Sequence, residues 1–193
     1  MISMQKIMKH ALLILPILIL MLASLNVPLV RSTGMAVNWT GAGGDGKWET
    51  AANWAFGQVP GADDLVSISS PVTVTISSPA QVSTLLLQKQ AVLNCNSRCS
   101  LSTGITNYGT VNNYGFINDL LGGAIENYGT INNYGTIINN HVSTNSGTII
   151  NNYGGTITNN GGMTNSGIIT NRCGGTILGS GATTGSSVNA LKC

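Results

Sequence analysis

An apolar residue followed two positions later by Asn recurs from Ile105 almost to the C-terminus. The apolar positions are Ile105, Val111, Ile117, Ile125, Ile131, Ile137, Ser143, Ile149, Ile157, Met163, Ile169 and Ile177, with Ser143 as the polar member. The intervals between them are 6, 6, 8, 6, 6, 6, 6, 8, 6, 6 and 8. A six-residue unit cannot bury its own apolar side chain, so units at this spacing must wind around a shared axis and stack. Three units make a coil of 18 or 20 residues. Folded into rows of three, the list gives one column of Ile105, Ile125, Ser143 and Met163, a second of Val111, Ile131, Ile149 and Ile169, and a third of Ile117, Ile137, Ile157 and Ile177.

The neighbouring positions align in the same rows. Asn107, Asn127, Asn145 and Asn165 follow the first column, Asn113, Asn133, Asn151 and Asn171 the second, and Asp119, Asn139, Asn159 and Gly179 the third. Side chains two apart on a strand share a face, so each Asn is expected to point inward with its apolar neighbour. Stacked amides then hydrogen-bond along the axis and satisfy polar groups that burial would otherwise penalise. Gly109, Gly129, Gly147 and Gly167 align at the first corner, where the expectation is a positive φ. Tyr108 lies over Tyr128 and Tyr114 over Tyr134 as outward stacks. Thr110, Thr130 and Thr148 align, as do Thr136, Thr156 and Thr176. Insertions at Leu120 to Gly123, Tyr153 to Gly155 and Cys173 to Gly175 read as loops at corners.

Before the ladder the chain changes character. Lys6, Lys9 and His10 precede an apolar run from Ala11 to Val30. Small residues then surround Ser32 and Gly34, so residues 1–34 read as an export signal, cleaved after Gly34 or near Ala23 and Ser24. An uncleaved anchor is the alternative, interrupted by Pro16, Asn26 and Pro28, and it is the only membrane contact expected. Removing the segment leaves five basic residues, Lys47, Lys89, Arg98, Arg172 and Lys192, against six acidic ones. That balance carries no nucleic-acid footprint. Residues 35–64 hold all three tryptophans, Trp39, Trp48 and Trp54, and read as a cap over the solenoid's exposed core. Residues 65–102 alternate in short Val- and Leu-rich strands, enough for about two irregular coils. Residues 103–181 are the regular repeats and 182–193 a C-terminal tail.

Four cysteines in an exported chain make two disulfides the simplest reading, with Cys95 to Cys99 and Cys173 to Cys193 the favoured pairing. A zinc site is the alternative; it lacks a C-x-x-C pair, and the one His beyond the signal, His141, lies in another coil. Only 7% of residues are charged and 25 are glycine, which excludes an ordinary helical globule. The periodic Ile pattern supplies the core that disordered chains lack. The expected fold is all-β: a single-stranded, three-sided β-solenoid with an N-terminal Trp-rich cap. A right-handed β-helix is favoured over the left-handed hexapeptide form, whose usual pattern lacks the inward Asn.

The arrangement W-x-G-x-G-x-x-G-x-W-x-x-x-x-N-W-x-x-G-x-x-P-x-x-D-D, followed by Val-rich strands and G-T-I-x-N-x-G repeats, resembles the passenger regions of secreted prokaryotic surface β-helix proteins. These are the autotransporter-like and filamentous-haemagglutinin-like adhesins. The resemblance spans residues 37 to about 180 and implies a right-handed β-helix displayed outside the cell as a stalk or adhesive fibre. The chain is shorter, carries cysteines and shows no translocating barrel.

Candidate chemistry is sparse. Gly41 to Gly46 contains a formal G-x-G-x-x-G, but no strand leads in and no helix follows, so a turn in the cap is the better reading than a phosphate cradle. With Asp45 it supplies too few oxygens for calcium. Asp63 and Asp64 read as the turn that ends the cap. His141 is a candidate acid or base with no carboxylate in its own unit. Asp119 and Glu126 are the only acids in the ladder, so the expectation is a non-catalytic protein with no cofactor and no metal. Asn38-Trp39-Thr40 is a sequon that an exporting cell can glycosylate. Three functional classes follow. The first is a secreted or surface structural and adhesive protein, associating end to end or binding an envelope or glycan component through Tyr108, Tyr128, Tyr114 and Tyr134. The second is an ice-binding protein using its Thr columns, interrupted at Phe116 and Ile168. The third is a carbohydrate-binding or carbohydrate-acting protein. The first is favoured.

Overall fold

A computed structural model describes residues 34–69, 71–119, 123–191 and 193. The export-signal reading lies outside these residues except for Gly34, and so do Leu120, Leu121 and Gly122 of the first corner insertion. The remainder is an all-β parallel solenoid of about six turns. Every ladder between its strands is parallel, and from Leu65 onward successive rungs are 16 to 21 residues apart in sequence.

Each complete coil contributes a strand to each of three columns, and the last winding contributes to the first two. The first column contains Leu65–Ile68, Ile125–Asn127, Ser143–Asn145, Met163–Asn165 and Thr183–Gly185. The second contains Thr73–Ile76, Val92–Cys95, Thr110–Asn113, Thr130–Asn133, Thr148–Asn151, Ile168–Asn171 and Val188–Ala190. The third contains Phe116–Asn118, Thr136–Asn139, Thr156–Asn159 and Thr176–Leu178. Two long strands, Pro79–Leu87 and Ser100–Asn107, bend from the third column into the first and join the two into one sheet. The register is the one the repeat spacing predicts: Ile105 pairs with Ile125, Ile131 with Val111 and Ile149, and Ile137 with Ile117 and Ile157. Within the segment read as a tail, Thr183–Gly185 and Val188–Ala190 are two further strands that continue the winding.

A strand reading T-I-x-N buries its second and fourth side chains, and the burial pattern alternates accordingly. Ile105, Val111 and Ile117 are at most 1% exposed, and the ladder Asn residues beside them are equally buried. In the earlier coils the fourth position is apolar instead: Ile68 and Leu87 stand below Asn107, and Ile76 and Cys95 below Asn113. The core is therefore wholly aliphatic near the cap and edged with amides above it.

The amides run in directed chains. Asn107 Nδ2 donates to Asn127 Oδ1 at 2.7 Å, Asn127 to Asn145 at 2.8 Å, and Asn145 to Asn165 at 2.8 Å. At the second corner the chain is Asn113 to Asn133 to Asn151 to Asn171, each step 2.8 Å. Each Nδ2 that donates to the next Asn also reaches a backbone carbonyl of the next coil, such as Thr130, Thr148 or Thr156. Where a chain begins, no amide stands below to donate, and Asn107 and Asn113 accept from the N–H of Gly109 and Gly115. Ser143 fits the first column because its hydroxyl donates to Asn139 Oδ1 at 2.6 Å and accepts from Ile125 N–H at 2.9 Å.

The corner glycines correct the sequence expectation. Gly109, Gly129, Gly147 and Gly167 are not among the residues with positive φ. A methyl group at Gly129, Gly147 or Gly167 would fall on the carbonyl oxygen of the glycine one coil below. Glycine is required there by the approach of backbone to backbone, not by a left-handed conformation. Positive φ occurs instead in the corner loops, at Gly154 and Gly174, both at 77°.

At the N-terminal end, Trp39, Trp48 and Trp54 are buried and pack edge to face, with centroids 4.9 and 4.6 Å apart. The Trp54 indole donates to Trp48 O at 2.7 Å. The module also covers sheet edges. Strand Ala36–Asn38 pairs with Leu65–Ile68, and Gly46 and Trp48 exchange backbone hydrogen bonds with Thr75. The Glu49 carboxylate accepts from Ser77 and Ser78 N–H, and Pro79, which has no N–H, opens the third column.

Asp45 organises the glycine-rich turn. Hydrogen bonds from the Thr50 hydroxyl, the Lys47 N–H and the Asn53 amide hold its carboxyl well below the usual value, at about 2. The lowered value means that this contribution to stability is present above about pH 4 and is lost as the pH falls towards 2. Tryptophan fluorescence followed from pH 5 to pH 1.5 is expected to show a step in that window. Asp45→Asn removes the step and weakens the cap at neutral pH; an unchanged step in the variant would assign it to another carboxylate.

Candidate contact surface

The second column presents a built outer surface. Its outward positions alternate with the inward Val111, Ile131 and Ile149, giving Thr110 and Asn112, Thr130 and Asn132, and then Thr148 and Ile150. The outward amides form their own chain: Asn132 donates to Asn112 and Asn112 to Asn94, each at 2.9 Å. The strand is bounded by the two tyrosine corners. Tyr108 and Tyr128 stack with centroids 4.9 Å apart and planes 10° from parallel, and Tyr114 and Tyr134 match them at 4.9 Å and 8°. All four rings are between 41% and 47% exposed, so the rod holds aromatic surface in water at fixed spacing.

Each stack adjoins a cleft. Below Tyr108, a cleft of about 500 Å³ is lined by Ser69, Gln88, Lys89 and Gln90. Above Tyr134, a second of about 500 Å³ is lined by Asn152, Tyr153, Arg172, Cys173 and Leu191. Arg172 Nη1 donates to Asn152 Oδ1 at 3.0 Å, which fixes the guanidinium at the corner. Tyr153 is 80% exposed, and its ring lies against Gly174, where a methyl would collide with it. The disulfide Cys173–Cys193 holds the chain end beside this cleft, and Leu191 N–H donates to Asn171 O.

No protein-family model matches the chain, and neither a curated protein nor a solved structure matches it. The likeness to passenger-type surface proteins therefore stands at the level of the fold, a parallel β-solenoid.

Both favoured disulfides are present, Cys95–Cys99 and Cys173–Cys193, leaving no free cysteine for the zinc alternative. Asn38 is exposed on its strand, as a glycosylation acceptor must be. Asp64 is buried and accepts from Met35 and Gly61 N–H, in keeping with a turn closing the cap. His141 does have a carboxylate neighbour, supplied by the preceding coil: Asp119 Oδ2 lies 3.5 Å from its Nδ1. Asp119 occupies an amide-ladder position but cannot donate, and it accepts instead from Asn140 and His141 N–H at 2.7 and 3.2 Å. The signal for this pair was its coil spacing, Asp119 standing one 20-residue coil before Asn139. The Arg172 cleft was not legible, because Tyr153 and Leu191 come from a loop and from the chain end.

Proposed function

We propose that this is a non-catalytic structural and adhesive β-helix protein, exported to the cell surface or beyond, whose second column is the contact face. The observation that carries the reading is the pair of exposed tyrosine stacks bounding a floor of Thr hydroxyls and hydrogen-bonded Asn amides. Such side chains are held in place by the ladder before any partner arrives, so little conformational entropy remains to be lost on contact. Two disulfides fit an oxidising exterior. Resemblance to passenger-type adhesins points the same way. The Thr columns alone favour ice less, since the protruding tyrosines leave no flat plane.

The test is light scattering of the oxidised protein over a concentration series, with binding to isolated cell-envelope material measured in parallel. Self-association or envelope binding that a Tyr128→Ala, Tyr134→Ala double variant abolishes supports the contact face. Association that survives the variant transfers the role to the rung ends, and a monomer that binds nothing overturns the adhesive reading.

A further inference from the structure

The two clefts share one chemistry. Each joins a tyrosine ring to a cation and neutral amides: Tyr108 with Lys89 and Gln88, and Tyr134 and Tyr153 with Arg172 and Asn152. Tyr108 is stacked against Tyr128, and Tyr134 against Tyr114, so the end ring of each stack is the one that lines a cleft. Among the described residues neither Lys89 nor Arg172 forms an ion pair. The turn carrying Lys89 is itself unusual, with Gln90 at a φ of 68°, a conformation uncommon for a residue bearing a side chain.

The cations stand at opposite corners of the second column. Lys89 precedes the strand Val92–Cys95, and Arg172 follows Ile168–Asn171, four rungs higher. Four rungs are about 19 Å along the axis, and a four-residue strand is roughly 13 Å long. Between them lies the floor of Asn112, Asn132, Thr110 and Thr130, whose donors and acceptors match sugar hydroxyls.

We infer that this face binds a carboxylated polysaccharide, lying diagonally from the Lys89 cleft to the Arg172 cleft. The inference rests on the reading of the second column as the contact face and adds the class of ligand. Sugar rings stack on the free tyrosine faces, and uronate carboxylates pair with the two cations, the Arg172 fork taking both oxygens.

The experiment is calorimetric titration of the whole oxidised protein with oligogalacturonides of increasing length and with a neutral galactan of matched length. Long oligouronides are expected to bind, and to weaken as salt rises. Those too short to reach both clefts bind at least about tenfold less tightly. Lys89→Gln and Arg172→Gln each lower affinity about tenfold for the long ligand, and Arg172→Gln leaves a short ligand bound at the Lys89 cleft. Equal binding of neutral galactan, or oligouronide binding indifferent to both substitutions, overturns the acidic ligand while leaving the contact face standing if the tyrosine variant abolishes it. Absence of saccharide binding overturns this inference, and the contact face then stands or falls by the scattering experiment. Both cations are exposed, and circular dichroism checks that the variants keep the fold.

Discussion

Gly147→Ala is expected to be among the most damaging single substitutions in the regular coils. Its methyl would sit on the Gly129 carbonyl oxygen, a backbone atom with no rotamer to change. The corner also carries the hydrogen bonds from Gly147 N to Asn127 O and from Thr148 N to Gly129 O. Relief therefore requires two coils to part and those bonds to lengthen. Overpacking against fixed backbone puts the cost at about 3 kcal/mol. Gly154→Ala provides the contrast, because nothing lies within 4 Å of its methyl and the residue has a φ of 77°. Left-handed strain alone costs about 1 kcal/mol. Asn tolerates that conformation, so Gly154→Asn should fold well while Gly147→Asn should not. Thermal unfolding of the four variants checks the distinction. Equal losses at both sites would mean that the corner glycines are chosen for conformation after all.

Asn133→Leu is expected to lower the melting temperature by roughly 3 to 10 °C, from a loss on the order of 1 to 3 kcal/mol. Asn133 accepts from Asn113 and donates to Asn151 Oδ1, Gly135 O and Thr156 O. Leucine is close in size, so packing changes little, but acceptors in two strands and at one corner, Asn151, Thr156 and Gly135, each lose a donor. Asn113 keeps its bond to Thr136 O, which limits the damage below. The outward Asn132, half-buried and bonded to Asn112 Oδ1, is the control, and Asn132→Leu should move the transition by no more than about 2 °C. A melting point unchanged in Asn133→Leu would sink the inward amide ladder as a source of stability.

The parts of the fold legible in the sequence were those that repeat. Ile105 over Ile125 and Asn113 under Asn133 follow from period alone, because a parallel stack puts equal residues at equal heights. Features that depend on contact between unlike segments were less legible. The alignment of the corner glycines was visible, but its cause was not, since periodicity carries no information on how closely one backbone approaches the next. The edge coverage by Ala36–Asn38 and Gly46 to Trp48 involves residues outside any repeat. The pairing of His141 with Asp119 was legible only through the coil spacing and not within one unit, because the carboxylate comes from the coil below. The tyrosine columns were legible as a surface, whereas the Arg172 cleft beside them needed the path of a loop and of the chain end.

The directed amide chains set a rule for length. Each Asn takes its acceptor from the coil above and offers its oxygen to the coil below, so an interior coil sees the same partners wherever it is inserted. Duplicating a whole 20-residue coil in the ladder would extend the protein by one rung, with each added amide still donating and accepting. Inserting one residue inside a strand would turn the following Ile outward and carry its Asn off the chain. Size in this protein is thus quantised: it grows or shrinks by full windings, and the distance between its two cationic corners can be retuned only in steps of one strand spacing.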